Sequence, residues 1–220
     1  MDKYQDRQAA GKVLAKHLKE YTNKANTIVL ALPRGGVPVA YEIASALNLP
    51  LDIFLVRKLG VPWHKELAMG ALASGGCKFF NQEVIESLEI SQDEIDKTIL
   101  KEEKELKRRE ILYRDNRPLP TFYNKNIILV DDGIATGSTI RAAVKALKNR
   151  KPASIIVAVP VAALSTFKEM TNLVERVICP LKPIYFYAVG IWYAHFPQIN
   201  DDEVTMLLKK ANENYLANAS

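Results

Sequence analysis

The sequence predicts an α/β fold on a central parallel sheet, with a charged helical insert and a small C-terminal appendage. Three observations carry that expectation. Short aliphatic runs alternate with helix-period segments along most of the chain, the pattern that builds a parallel sheet with helices on both faces. One run, Ile127-Ile128-Leu129-Val130, is apolar at every position, as a central strand buried on both faces must be. The same run turns polar and glycine-rich at its carboxyl end, where open α/β sheets bind their ligands.

Taken in order, residues 6 to 22 predict an amphipathic helix, with Ala10, Val13, Leu14, His17, Leu18 and Tyr21 on one stripe. His17 lies on that apolar stripe and is expected to be packed rather than to act as a ligand. Thr27 to Leu32 predicts a strand, and Arg34-Gly35-Gly36 turns the chain into a helix carrying Ala40, Ile43, Ala44 and Leu47, with Pro38 in its first turn. A second strand, Leu51 to Val56, leads into a polar segment around Lys58 to His64. Leu67 to Ala73 and Cys77 to Phe80 predict a hairpin across Ser74-Gly75-Gly76. Ser91 and Glu94 form a capping box that starts a helix running to about Arg114. Between Lys101 and Glu110 that helix has only Leu106 uncharged, and its thin apolar stripe is Ile95, Ile99, Leu106 and Tyr113. Alternating charge at helical spacing describes a solvated face, so no nucleic acid is expected. After Val130 a helix carries Ile140, Ala143, Val144 and Leu147, followed by strand Ser154 to Val159, helix Ser165 to Met170 and strand Glu175 to Cys179. The densest aromatic cluster, Tyr185 to Phe196, precedes a closing helix from Asp201 to about Ala211.

Composition sets the outer bounds. A 220-residue chain with 48% hydrophobic residues suits one domain, expected to span 1–220, with a core at about 27–80 and 119–180. Thirty basic against twenty-five acidic residues, net +5, fits an anionic ligand without requiring a nucleic acid. Cys77 and Cys179 stand without metal-ligand spacing. The polar start, with no apolar leader or membrane-length run, gives the expectation of a cytoplasmic protein away from membranes.

The candidate chemistry lies in Asp131-Asp132-Gly133-Ile134-Ala135-Thr136-Gly137-Ser138-Thr139. Two glycines permit a tight turn and close backbone approach, three hydroxyls stand beside main-chain N–H groups, and the next helix points its amino terminus into the loop. An anionic group is expected there. A Walker A loop fails because the glycines are too close and no lysine follows Gly137; a dinucleotide fingerprint fails on glycine number and spacing. The metal-binding acid pair of a receiver domain is disfavoured by the hydroxyl-rich cradle that follows.

This segment resembles the signature of the type I phosphoribosyltransferases, which bind phosphoribosyl diphosphate (PRPP). The resemblance covers about Thr27 to Val159, reaches the tail loosely and does not include the charged insert. It implies a Rossmann-like parallel-sheet core of that family's kind, with a helical insert at about 81–118 and a hood at about 181–220 joined by the N-terminal helix. It further implies that Asp131 and Asp132 hold the ribose hydroxyls, that both belong to the Mg²⁺ site, and that Gly133 to Thr139 wrap the 5-phosphate. Arg34, Gly35 and Gly36 stand where the family has its pyrophosphate loop. Arg57 and Lys58 are similar to a basic pair beside the diphosphate, at the end of the second strand. Leu59 to Gly76 stands where a flap closes, putting Lys65 near the diphosphate and His64 or Glu66 in reach of a proton. Tyr187, Trp192 and Tyr193 become the candidates for stacking on the acceptor, although such aromatics also serve as the core of a small appendage.

The resemblance thus implies a pentosyltransferase of nucleotide metabolism that uses Mg²⁺, PRPP and a small nitrogenous acceptor, as a homodimer. One departure qualifies the acceptor. Hypoxanthine-type members place an aspartate three residues after the second acid, as the base for the purine, and this chain has Ala135. The alternative reading is a PRPP-binding regulator without turnover.

Overall fold

The computed structural model describes residues 3–219, with the side chains of residues 65, 66 and 219 outside the described set. Five strands, β1 (Thr27–Ala31), β2 (Leu51–Ile53), β6 (Asn126–Val130), β7 (Ser154–Ala158) and β8 (Arg176–Ile178), form a parallel sheet in the order β2-β1-β6-β7-β8. A separate antiparallel sheet joins β3 (Val56–Val61), β4 (His64–Ala73) and β5 (Cys77–Phe80). The expected hairpin across Ser74-Gly75-Gly76 is the β4–β5 pair. Helices flank the parallel sheet: α1 (Arg7–Lys16), α2 (Gly36–Leu47), α4 (Gln92–Arg114) and α7 (Asp201–Ala219) contribute to one core, α5 (Ser138–Lys148) and α6 (Leu164–Thr171) to the other. A short α3 (Gln82–Ser87) precedes α4.

Strand period explains the two cores. Ile128 and Val130 of β6 face the first, while Ile127 and Leu129 face the second, so four successive apolar residues are all needed. The capping box forms, with the Ser91 hydroxyl and the Glu94 carboxylate each meeting the other's backbone N–H. The insert helix is nevertheless less solvated than its charge suggests. Ile95, Leu106 and Tyr113 are buried, and Arg114 is buried too, paired with Asp52 at 2.9 Å and donating to the Ile53 carbonyl.

Several boundaries differ from the sequence expectation. The first helix stops at Lys16 and a 3-10 turn, Lys19–Tyr21, follows, so His17 caps the helix and is exposed instead of packed. The second strand ends at Ile53; Phe54 and Leu55 are buried in a crossing segment, and Arg57 and Lys58 belong to antiparallel β3, not to the end of a parallel strand. The region from Leu59 to Gly76 is accordingly sheet, broken by tight connections at Pro62-Trp63 and Ser74-Gly75-Gly76. The closing helix runs eight residues further than expected, to Ala219.

Candidate active site

The site assembles at the carboxyl ends of β1 and β6, which lie side by side in register from Thr27 opposite Asn126 to Ala31 opposite Val130. Their following turns therefore meet. A Cβ on Gly36 would come within 2.7 Å of the Val130 carbonyl oxygen and 2.9 Å of Asp131 Cα. A Cβ on Gly35 would lie 2.0 Å from Asp132 Oδ2. Only glycine allows the Arg34-Gly35-Gly36 turn to rest on the two acids.

Past the acids, the loop is held by its backbone. Ile134 bridges to Ala162, with its N–H donating to Val161 and its carbonyl accepting from Ala163. The Thr166 hydroxyl donates to the Ala135 carbonyl at 2.7 Å, and Arg141 donates to the Thr136 carbonyl at 2.7 Å. Gly137 adopts φ +75° as the N-cap of α5, whose first helical bond runs from Arg141 N–H to the Gly137 carbonyl. The N–H groups of Ser138, Thr139 and Ile140 thus precede any helical acceptor. Thr136, Ser138 and Thr139 stand around this turn and all three are exposed, so their hydroxyls lie beside the unbonded amides at the positive end of the helix dipole.

The acids are held unevenly. Asp131 accepts the Asp132 N–H at 2.9 Å, while Asp132 is paired with Arg7 of α1 at 2.8 Å. Arg7 is itself buried, donates to the Pro197 carbonyl and lies 3.7 Å over the Phe196 ring. Tyr193 donates its hydroxyl to the Asp132 carbonyl at 2.5 Å. Burial, then the neighbouring Asp132, pushes the Asp131 carboxyl well above the ordinary carboxylate range. Burial also raises Asp132, against the opposing pull of the Arg7 guanidinium. A carboxyl whose folded pKa is raised contributes stability that is complete below its unfolded value and lost as pH rises through the folded value. Asp131→Asn, which keeps an acceptor for the Asp132 N–H, is therefore expected to melt higher than the parent at neutral pH. The difference should shrink as pH falls towards about 4, and melting curves across that range check it.

The remaining expected site residues fall into four groups. Arg34 and Arg57 both carry carboxylate partners: Arg34 lies 3.6 Å from Asp201 of α7, and Arg57 donates through Nε and Nη2 to Glu102 of α4 at 2.8 and 2.5 Å. Lys58 and Thr139 line a common cavity of about 520 Å³ with Arg57, Lys97 and Lys101. Lys65 and Glu66 lie outside the described side chains, on β4 beside exposed His64. In the hood, Tyr187 is 86% exposed and offers an open ring. Trp192 is half-buried, stacked on Phe186 at 6.4 Å, and its Nε1 has no hydrogen-bond partner among the described residues. Tyr193 corrects the expectation of a stacking face: it is buried against Tyr4 and Phe196 and supports Asp132 from behind.

Arg7, Glu102 and Asp201 were not singled out by sequence reasoning. Arg7 sits in a polar opening segment and meets its partner 125 residues away, so no local pattern marks it. Glu102 is one acid within the charged run, and Asp201 reads only as a helix start.

The parallel sheet, the glycine turn against paired acids and the loop at the amino terminus of α5 together form a phosphoribosyltransferase-type α/β fold. The phosphoribosyl transferase domain family matches residues 1–189, and the chain belongs to that family. A Mycobacterium tuberculosis protein named "Putative phosphoribosyl transferase Rv0571c" is 37% identical over 215 residues, 98% of this chain and 48% of that protein. The chain thus spans about half the length of the curated relatives it matches. The crystal structure of the TT1426 protein from Thermus thermophilus is similar at TM-score 0.81 and 33% identity, covering 94% of this chain and 98% of that one. The AQ2163 protein from Aquifex aeolicus shares the fold, at TM-score 0.50 and 12% identity over 84% of this chain and 78% of its own.

Proposed function

We propose that the protein transfers the phosphoribosyl group of PRPP to a nitrogen acceptor, a nucleobase, in a Mg²⁺-dependent reaction. The observation that carries this is the contact of one Asp131-Asp132 step with both the Gly35-Gly36 turn and the Gly133–Thr139 cradle. Those three parts match the three parts of the donor. Asp131, the acid not paired with Arg7, accepts from the ribose hydroxyls, and Asp132 shapes the floor beneath it. Thr136, Ser138, Thr139 and the α5 amides satisfy the 5-phosphate, while Arg34, Arg57 and Lys58 receive the diphosphate. The acceptor lies against Tyr187 and Trp192, with the strands around Lys65 and Glu66 covering it.

Mg²⁺ is an ion held by one or two carboxylates plus substrate phosphates and water, and the adjacent carboxyls of Asp131 and Asp132 are donors of that kind. Asp131 and Asp132 would hold it, and bound Mg²⁺ would offset diphosphate charge. In the reaction the acceptor nitrogen bonds to the anomeric carbon as the carbon–oxygen bond to diphosphate breaks and pyrophosphate leaves with the electron pair. Ala135 offers no base, so the nitrogen's proton passes to another group or to water.

No described helix is long and apolar enough to cross a membrane. A cytoplasmic homodimer acting on small molecules, without nucleic acid, goes with this reading. The test is pyrophosphate release from PRPP and Mg²⁺ across a panel of nucleobases. Release with one base and not with others is the expected outcome. PRPP binding without release for any base would replace the transferase with a PRPP-binding regulator.

A further inference from the structure

Two features of the molecule stay outside the reading above: the charged helix α4 and the carboxylates that hold Arg34 and Arg57. They are connected. Glu102, at mid-helix, takes the Arg57 guanidinium, and only 14% of its side-chain surface is exposed. Two turns on, Arg108 approaches Asp201 at 3.9 Å, and Tyr113 donates its hydroxyl to the same aspartate at 2.5 Å. Asp201 in turn stands 3.6 Å from Arg34. One cavity of about 520 Å³ runs from Thr139 of the phosphate loop past Lys58 and Arg57 to Lys101. A second, about 640 Å³, continues from Arg57 along α4 to Arg108. The insert therefore forms a wall of the groove that starts at Thr139, and its acid and that of α7 occupy the two arginines that the proposed function assigns to the diphosphate.

We propose that α4 sets donor affinity by carboxylate exchange: Glu102, and Asp201 oriented by Tyr113, hold Arg57 and Arg34 until a diphosphate displaces them. The inference rests on the PRPP reading of the site. Partly exposed arginine–carboxylate pairs are weak, whereas a diphosphate presents several anionic oxygens to the same guanidinium groups and accepts bidentate bonds. Exchange therefore favours the ligand but subtracts the cost of each broken pair. Glu102→Gln and Asp201→Asn keep size and hydrogen bonding while removing the charge, so Tyr113 retains its acceptor.

The experiment is calorimetric titration of Mg²⁺–pyrophosphate into the full chain, its Glu102→Gln and Asp201→Asn variants, and each in an Arg57→Ala or Arg34→Ala background respectively. Each single carboxylate variant is expected to bind pyrophosphate about fivefold more tightly, and the gain should vanish when the partner arginine is absent. Unchanged or weaker binding in both variants, or a gain that persists without the arginine, overturns the exchange. Failure of the parent to bind either PRPP or pyrophosphate overturns the site reading itself. Parent binding with indifferent variants overturns only the exchange.

Discussion

Replacing Arg7 with methionine is expected to lower stability by about 3–5 kcal/mol, because it strips the partner from a buried carboxylate. The Arg7–Asp132 pair is enclosed, with side-chain exposures of 8% and 14%, so water cannot restore the lost contact without opening the site. The charge left on Asp132 also lies next to Asp131, whose pKa is already raised by burial and by that neighbour. Loss of the bond to Pro197 and of the contact with the Phe196 ring loosens the hood from α1 as well. Thermal or denaturant unfolding reads the effect, on the order of 10 °C in melting temperature for a chain of this size. Arg7→Met combined with Asp132→Asn should recover about 2 kcal/mol, since no unpaired charge then remains. Equal losses in the single and double variants would show that packing, not the ion pair, holds this corner.

Gly35→Ala is the second large expectation: loss of PRPP binding with a stability cost of about 1–3 kcal/mol. The backbone at Gly35, φ −62°, suits any residue, so the effect is steric. The added methyl would overlap Asp132 Oδ2 at 2.0 Å and crowd Cγ at 2.6 Å, and Asp132 cannot swing away without leaving Arg7. The turn and the acids must separate, which displaces two parts of the donor site at once. Titration of PRPP with Mg²⁺, alongside a melting curve, checks both consequences.

The alternation of strands and helices was legible because the buried runs are short and apolar, and β6 with its following loop carries most of the site in consecutive residues. Failures came where one period runs into another. Leu51 to Val56 is apolar almost throughout and mostly buried, so nothing in the sequence marks that the chain leaves the parallel sheet at Phe54 and enters an antiparallel one at Val56. The His17 stripe assumed a helix that continues past Lys16. The greater loss was in pairing: Arg7 with Asp132, Arg57 with Glu102 and Arg34 with Asp201 join distant segments, and charge alone does not name its partner. Tyr193 shows the same limit, since its aromatic type fits a stacking face or a core equally well. Burial and its bond to the Asp132 carbonyl decide for the core.

The central claim is that the Asp131-Asp132 corner binds PRPP. Its most direct test is titration of PRPP with Mg²⁺ into the parent chain and into Asp131→Asn/Asp132→Asn, with folding of the variant confirmed by its melting curve. Saturable binding to the parent and loss of binding in the folded variant is the predicted result. Equal affinity in both, or no binding to the parent, would contradict it.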